Sequence, residues 1–457
     1  MKRIFSLALL CAVLGVPVFA GPRQQGGSGG GSSAGGSAGG QIELRVLNYM
    51  DLTVANAATS IAEIWEAFDK ANPDIKVIRE DLFNEPFHNK VEAYAAAGQL
   101  PDVMYAWPSG RSTTLHTQRL LKDLGPLIQK DGLNTKYVPA ALDPTAQASG
   151  YLGILPLAVT SSHAFYINNE VLRDCGLSPA RTYAELKAQV PVLKAKGYET
   201  VLIAQASDWV MQSCFFSTLA GRFGGPGWEK KILSGQAKFT DPDFVNALNF
   251  VKTLYDDGVI TRASLSIEYG SASGLFASNK YAYLIDGDWK IGQFLTDKST
   301  GVALITPERQ HNFQITVFPD IEGARINKST SSILGVGWGI NAAIPAGSAK
   351  EEAAWRLVKW LAGQAVQTQM LSNGGLTTPS RNDISTAALS LEPLQIAGGN
   401  LATQYTTGTV VIDGVFESDV SGAVNLGLQE LGLGAKTPQQ VAESIQRAFD
   451  TWKAKQK

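Results

Sequence analysis

The ordered pattern begins at Ile42, where Ile42, Leu44 and Val46 alternate with polar neighbours, as a strand with one buried face requires. Ile61, Ile64, Trp65 and Phe68 then recur at i, i+3, i+4 and i+7, the stripe of an amphipathic helix. Asn72-Pro73 stops that helix, because the residue before a proline is pushed out of helical backbone. Ile75-Lys76-Val77-Ile78 follows as a second strand and completes a βαβ unit. A helix-like stretch through Val91 to Ala97 is broken by Gly98 and Pro101, and the apolar run Val103-Met104-Tyr105-Ala106 extends a parallel sheet.

Later helices are announced by their caps. Thr182 with Glu185, Ser348 with Glu351, and Thr437-Pro438 with Gln440 fit the capping box, and Asp241-Pro242 supplies a cap followed by proline at the first helical position. Each precedes an apolar stripe: Phe244, Leu248, Val251, Leu254 and Tyr255; Ala354, Leu357, Val358 and Leu361; Val441, Ile445, Ala448 and Trp452. The downstream half is therefore more helical, with short strands such as 281–285 inserted. No period of about 20–50 residues recurs, which removes solenoids and propellers.

Composition narrows the class. With 457 residues, 44% of them hydrophobic, and a formal charge of −2, the chain has ample material for a core and no basic field that would draw nucleic acid. Lys2 and Arg3, the apolar run Ile4 to Phe19 and the small-x-small site Val18-Phe19-Ala20 read as a secretory signal over residues 1–20, so the mature chain is expected outside the cytoplasm, in the periplasm or its equivalent. Cys11 loosely resembles a lipoprotein acylation site, but Leu10 stands where a small residue belongs, so cleavage after Ala20 is preferred. Residues 21–40, with ten Gly, read as a flexible tether. Cys175 and Cys214 are too few for a disulfide scaffold and read as two buried free thiols, with a single bridge as the alternative.

The search for catalytic chemistry yields little. His88, His116, His163 and His311 are isolated, no metal-ligand spacing recurs, and neither metal nor cofactor is expected. Three Gly-x-Ser-x-Gly matches around Ser28, Ser33 and Ser37 lie in the low-complexity tract without the strand and helix that motif needs. Asp286 and Asp288 beside a tryptophan are the pair a glycosidase would use, but acids are common enough here for close pairs to be ordinary.

The placement of tryptophan carries more. Trp65, Trp355, Trp360 and Trp452 fall on helical stripes and read as packing residues, whereas Trp107, Trp209, Trp228, Trp289 and Trp338 fall at strand ends or in Gly/Pro/Asp/Ser-rich turns. An indole face suits the apolar C–H face of a sugar ring, while the ring's hydroxyls want carboxylate and amide partners at the edge.

Several segments in order then carry a resemblance: Phe68-Asp69-Lys70-Ala71-Asn72-Pro73-Asp74-Ile75-Lys76-Val77, Ala97-Gly98-Gln99-Leu100-Pro101-Asp102-Val103, and Leu155-Pro156 followed by Tyr166-Ile167-Asn168-Asn169-Glu170-Val171-Leu172. Downstream come Leu275-Phe276-Ala277-Ser278-Asn279-Lys280-Tyr281-Ala282, Asp286-Gly287-Asp288-Trp289 and Gly337-Trp338-Gly339-Ile340-Asn341. Over nearly all of residues 41–457 the chain resembles the family 1 extracellular solute-binding proteins of bacterial ABC importers, the group that includes maltose-binding protein.

That resemblance implies an α/β, two-lobed, periplasmic binding protein-like fold with a crossover hinge. The N-terminal lobe would hold 41–155 and about 317–347, and the C-terminal lobe 156–316 and about 348–457. It further implies a neutral mono- or oligosaccharide held between the lobes without turnover, hinge closure over it, and a monomer that delivers it to membrane permease subunits of an ABC transporter. Trp107 and Trp289 are the expected stacking residues, one from each lobe. Asp51, Thr160, Ser161, Trp209, Trp228, Trp338 and Asp288 are the further ligand-binding candidates, and no catalytic residue is expected. Asp102 is expected as a cap and Asn168 as a turn residue. A signalling or adhesion scaffold and a glycosidase are the alternative readings.

Overall fold

Alternation along β1 (Ile42–Tyr49) buries Leu44 and Val46 in one core with Ile64, Trp65 and Phe68 of α1 (Ala57–Ala71). The computed structural model describes residues 40–405 and 407–455. The leader, Cys11, the tether to residue 39 and the three Gly-x-Ser-x-Gly matches lie outside the described residues. β1 pairs in parallel with β2 (Ile75–Leu82) and β3 (Val103–Ala106), so the sequence-predicted βαβ unit forms as expected. The register continues to Tyr49↔Leu82, carrying β2 past the expected end at Ile78. Between these strands, α2 (Glu85–Ala96) contributes Phe87 and Val91 to a small core with Leu47 and Met104.

The chain leaves this first lobe through β4 (Ile154–Ser161) and builds a second sheet from β5 (Ala164–Asn168), β6 (Glu199–Leu202), β7 (Tyr281–Asp286) and β8 (Phe313–Thr316), in the order β6-β7-β5-β8. It returns through β9 (Thr330–Ile340), which pairs antiparallel with both β3 and β4 and parallel with β10 (Thr407–Thr409). The second lobe's core gathers Phe165, Phe215, Phe216, Val251, Phe318 and Phe416.

Local chemistry mostly acts as read. Thr182 and Ser348 accept the backbone N–H of Glu185 and Glu351, and Thr437 and Gln440 cap one another reciprocally. Asp241 departs: it stands at the cap position but accepts from Lys238 N–H instead. The roles expected of Asp102 and Asn168 are also altered. Asn168 is the cap, accepting from Glu170 and Val171 N–H, while Asp102 accepts Arg45 N–H and pairs with Lys350. Cys214 is buried but Cys175 is only half-buried, and both are free.

The expected partition needs correction on both sides of β9: Phe318 and Ile321, expected in the first lobe, pack in the second-lobe core, and the chain beyond β9 departs as well. The helix Ala349–Leu361 and the helix Gln364–Ser372 place Ala353, Leu357, Val358, Leu361 and Val366 in the first-lobe core with Leu44 and Ile340. Only a short link separates Ile340 from this apolar stripe, so the stripe packs on the sheet that β9 has just joined. The chain crosses again after residue 372, and Leu394 and Leu401 enter a second-lobe core while Val424, Val441 and Ile445 enter another.

His163, in the two-residue link between β4 and β5, is fully buried. Its Nε2 accepts Phe318 N–H at 3.0 Å, which leaves Nδ1–H to donate to the Cys214 carbonyl at 2.7 Å. Burial, reinforced by Arg222, pushes its pKa down to about 3. A His held neutral in the fold binds its proton more readily when unfolded, so the stability it confers is present above about pH 6.5 and lost below it. Between pH 7.5 and 5 the free-energy gap between wild type and His163→Asn should narrow by about 2 kcal/mol in urea denaturation; an unchanged gap would place a charged imidazole in the fold.

Candidate functional site

A cleft of about 290 Å³ opens between the lobes, near the lower end of the roughly 300–1,000 Å³ usual for small-molecule sites. Its first-lobe wall starts where β1 and β3 end. Tyr49 closes β1 and meets Trp107, just past β3, edge-on with centroids 5.1 Å apart. Tyr105 lies 5.2 Å from Trp107 and 5.5 Å from Trp338 on β9, both edge-on, and Trp338 meets Trp65 at 6.2 Å. Such tilted contacts fix each ring against its neighbour.

The second-lobe wall is built from Trp209, Tyr269 and Trp289. Trp209 lies 5.1 Å from Tyr269 and 6.3 Å from Trp289, and the Trp289 indole N–H donates to the Tyr269 hydroxyl at 2.9 Å. Thr160 and Asp51 also line the cleft. Thr160 Oγ1 and Trp209 Nε1 are buried without a hydrogen-bond partner, and each is a polar group available to something in the cleft.

The lobes touch on both sides of this space. On one side Ala55 N–H donates to the Gly292 carbonyl at 3.0 Å, Asn56 Nδ2 donates to the Thr296 carbonyl at 3.0 Å, and Gln293 Nε2 donates to Thr53 Oγ1 at 2.6 Å. On the other, Arg111 grips Glu85 through both terminal guanidinium nitrogens and points Nε at Asp413 Oδ2, 3.8 Å away. Asp413 also accepts from Ser213 Oγ, and burial raises its pKa. Gly110 permits this approach: its φ is +51°, and a Cβ there would sit 1.2 Å from the Asp413 carbonyl oxygen.

Of the nine sequence-predicted site residues, Asp51, Trp107, Thr160, Trp209, Trp289 and Trp338 are gathered on the cleft, and three are not. Trp228 is a core residue, 5% exposed, packed between Phe244 and Phe416. Gly225-Pro226-Gly227 marks a turn as expected, but the indole opens a helix whose inner face it joins. Ser161 and Asp288 lie behind the wall, Ser161 N–H donating to Asp288 Oδ2 at 2.9 Å. Sequence reasoning missed Tyr49, Tyr105, Tyr269, Arg111 and Asp413, and it placed Trp65 only in the core although its ring also reaches the cleft. Tyr49 and Tyr105 carried a usable signal, since each lies at or beside the C-terminal end of a parallel strand, where α/β sheets hold ligands.

Among the described residues no group of three His, Cys, Asp or Glu is arranged to hold a metal ion, and no helix is long and apolar enough to cross a membrane.

Two α/β lobes joined by crossing strands, with an aromatic cleft between them, define a solute-binding protein architecture. The chain belongs to the family of bacterial extracellular solute-binding proteins, whose family model matches residues 53–368, and membership implies an extracytoplasmic location. It is similar to a maltotriose-binding protein of Pyrococcus abyssi, 23% identical over 288 residues, which cover 63% of this chain and 56% of that protein. The alignment thus spans little more than half of that curated relative. Among solved structures it is similar to a chitin oligosaccharide binding protein, with a TM-score of 0.78, 19% identity and coverage of 91% of this chain and 100% of the other. A maltose/maltodextrin-binding domain from Bdellovibrio bacteriovorus bound to maltotriose gives a TM-score of 0.68 at 20% identity, covering 90% and 99% of the two chains. These likenesses show the fold.

Asp288 provides a test of the wall's surroundings. Burial pushes its carboxyl up to about 7 against the pull of the Ser161 and Trp289 N–H groups. Because the folded pKa lies above the unfolded one near 3.9, the fold holds this proton more tightly, and the stability it confers is present at acid pH and lost as pH rises toward 7. Asp288→Asn should gain on wild type by roughly 1.4 kcal/mol per pH unit between pH 4 and 7 and by nothing further above that. A pH-independent difference in unfolding free energy would place an ionised carboxylate there throughout.

Proposed function

We propose that the protein is the extracytoplasmic solute-binding component of an ABC importer. It holds a neutral mono- or oligosaccharide between its lobes and passes it to permease subunits in the membrane, acting as a monomer. One observation carries this reading: Trp107 from the first lobe and Trp289 from the second line the same cleft, accompanied by Trp209, Trp338 and three tyrosines. Ring stacking at roughly 0.5–1.5 kcal/mol per contact beyond burial, with hydrogen bonds at about 1 kcal/mol each, reaches about −8 kcal/mol, or micromolar affinity. Closure follows because only the closed form touches both faces of the ligand, so differential affinity shifts the population.

Turnover has no support from the carboxylates first suspected. Asp286 is paired with Lys290 and Asp288 with Ser161 N–H, and neither lines the cleft. The reading is of a binding protein without catalysis.

A thermal-shift panel of neutral saccharides tests this. A ligand at 100 times its Kd should stabilise the protein by about 2.7 kcal/mol, with no product formed on prolonged incubation. Trp107→Ala and Trp289→Ala should each weaken that ligand about tenfold or more, in line with loss of a stacked, buried aromatic surface. Absence of any shift would favour a scaffold, and product formation a glycosidase.

The leader belongs to the same proposal. Mass spectrometry of the mature chain, exported from a bacterial host, should find Gly21 at the N-terminus and an unacylated protein. A lipid on Cys11 would replace the free form with an anchored one.

A further inference from the structure

The acidic turn that first suggested a glycosidase has another partner. Asp286 closes β7, and its Oδ2 lies 3.3 Å from the ammonium of Lys290; both side chains are buried, at 1% and 0% exposure. Lys290 Nζ stands 3.4 Å from the centroid of the Tyr269 ring and donates to the Tyr269 carbonyl at 3.3 Å. Tyr269 lines the cleft, meets the Trp209 ring, and accepts the Trp289 indole N–H. A continuous series of contacts therefore runs from a buried ion pair to the cleft wall.

Stability is a poor explanation for this pair. Removing two ions from water is expensive, and apolar side chains of similar volume commonly do as well. A cation against a ring, by contrast, fixes that ring and draws on its electrons. The Tyr269 oxygen already accepts from the indole and keeps its own O–H to donate.

We propose that Lys290, held by Asp286, is a positioning residue for the second-lobe wall: it fixes Tyr269, orients Trp289 through it, and leaves the Tyr269 O–H to donate to an acceptor oxygen of the ligand. The ligand-contact part rests on the saccharide reading, whereas the positioning does not.

The test uses the full chain labelled with 5-fluorotryptophan and followed by ¹⁹F NMR, with the Trp289 signal assigned by its loss in Trp289→Phe and the Trp107 signal by Trp107→Phe. Asp286→Asn with Lys290→Met removes both charges together, so no unpaired ion is left buried. The unliganded double variant should shift or broaden the Trp289 signal and leave that of Trp107 unmoved. An unmoved Trp289 signal in a folded double variant overturns the proposal. Should the double variant fail to fold, Tyr269→Phe, which deletes a single oxygen, must still move the Trp289 signal, and no movement overturns the proposal equally.

For the saccharide that wild type binds, both the double variant and Tyr269→Phe should raise Kd at least tenfold by calorimetry. Unchanged affinity in a variant whose Trp289 signal has moved breaks the link to ligand binding and overturns that part. If wild type binds no saccharide while the Trp289 signal still moves, the transport reading fails and the positioning role stands.

Discussion

The antiparallel ladder between β4 and β9 is the constraint on which the molecule depends. One strand leads the chain out of the first lobe and the other brings it back, and they are paired from Ile154↔Gly339 to Ser161↔Ser332. The backbones approach so closely that a Cβ at Gly337 would lie 2.1 Å from the Leu155 carbonyl oxygen. Just beyond the ladder, the fully buried Arg222 donates to the Phe318 and Pro319 carbonyls at 2.8 and 2.9 Å and pins the returning segment. His163 holds Phe318 N–H from the other side. The base of the cleft is thus held by a paired backbone, and the hinge closure proposed above would turn the lobes about it.

A base held in this way makes the walls matter. Tyr49, Trp107 and Trp289 all stand at or just past strand ends, so sheets buried in separate cores present their aromatic residues to one crevice. The polar seams flanking it, Ala55 and Asn56 with Gly292 and Thr296 on one side and Arg111 with Asp413 on the other, join the lobes at the cleft's edges. They contribute direct lobe-to-lobe contacts, hydrogen bonds on the first side and an ion pair on the second, and under the proposed closure these lower the differential affinity demanded of a ligand.

Legibility in the sequence followed the range of the interaction. Period and caps are local, so β1, α1, β3 and the caps at Thr182, Ser348 and Thr437 could be read from a few neighbouring residues. A tryptophan in a turn was a fair guide for Trp107 and Trp289 and a false one for Trp228, because turn residues say where the chain bends and not which face the next helix buries. The helix Ala349–Leu361 was assigned to the wrong lobe for a related reason: an apolar stripe demands a partner without naming it. Tyr269 opens a helix and Lys290 is a lysine with no exposure, so neither carried a local sign of its place. Their meeting is a product of tertiary structure alone.

Under the saccharide reading, affinity and selectivity have different sources within the cleft. An indole face accepts the apolar face of many sugars, so Trp107, Trp209 and Trp289 contribute attraction that discriminates weakly. The buried Thr160 Oγ1 and Trp209 N–H have no protein partner, and the Tyr269 hydroxyl has one hydrogen still to give. A ligand that lacks the matching oxygen, or holds it in the wrong configuration, leaves such a group buried and unpaired, a penalty far steeper than the loss of a methylene from a stacked ring. On that reading the ring walls define the class of solute, and the few fixed polar atoms between them decide which member of that class is carried.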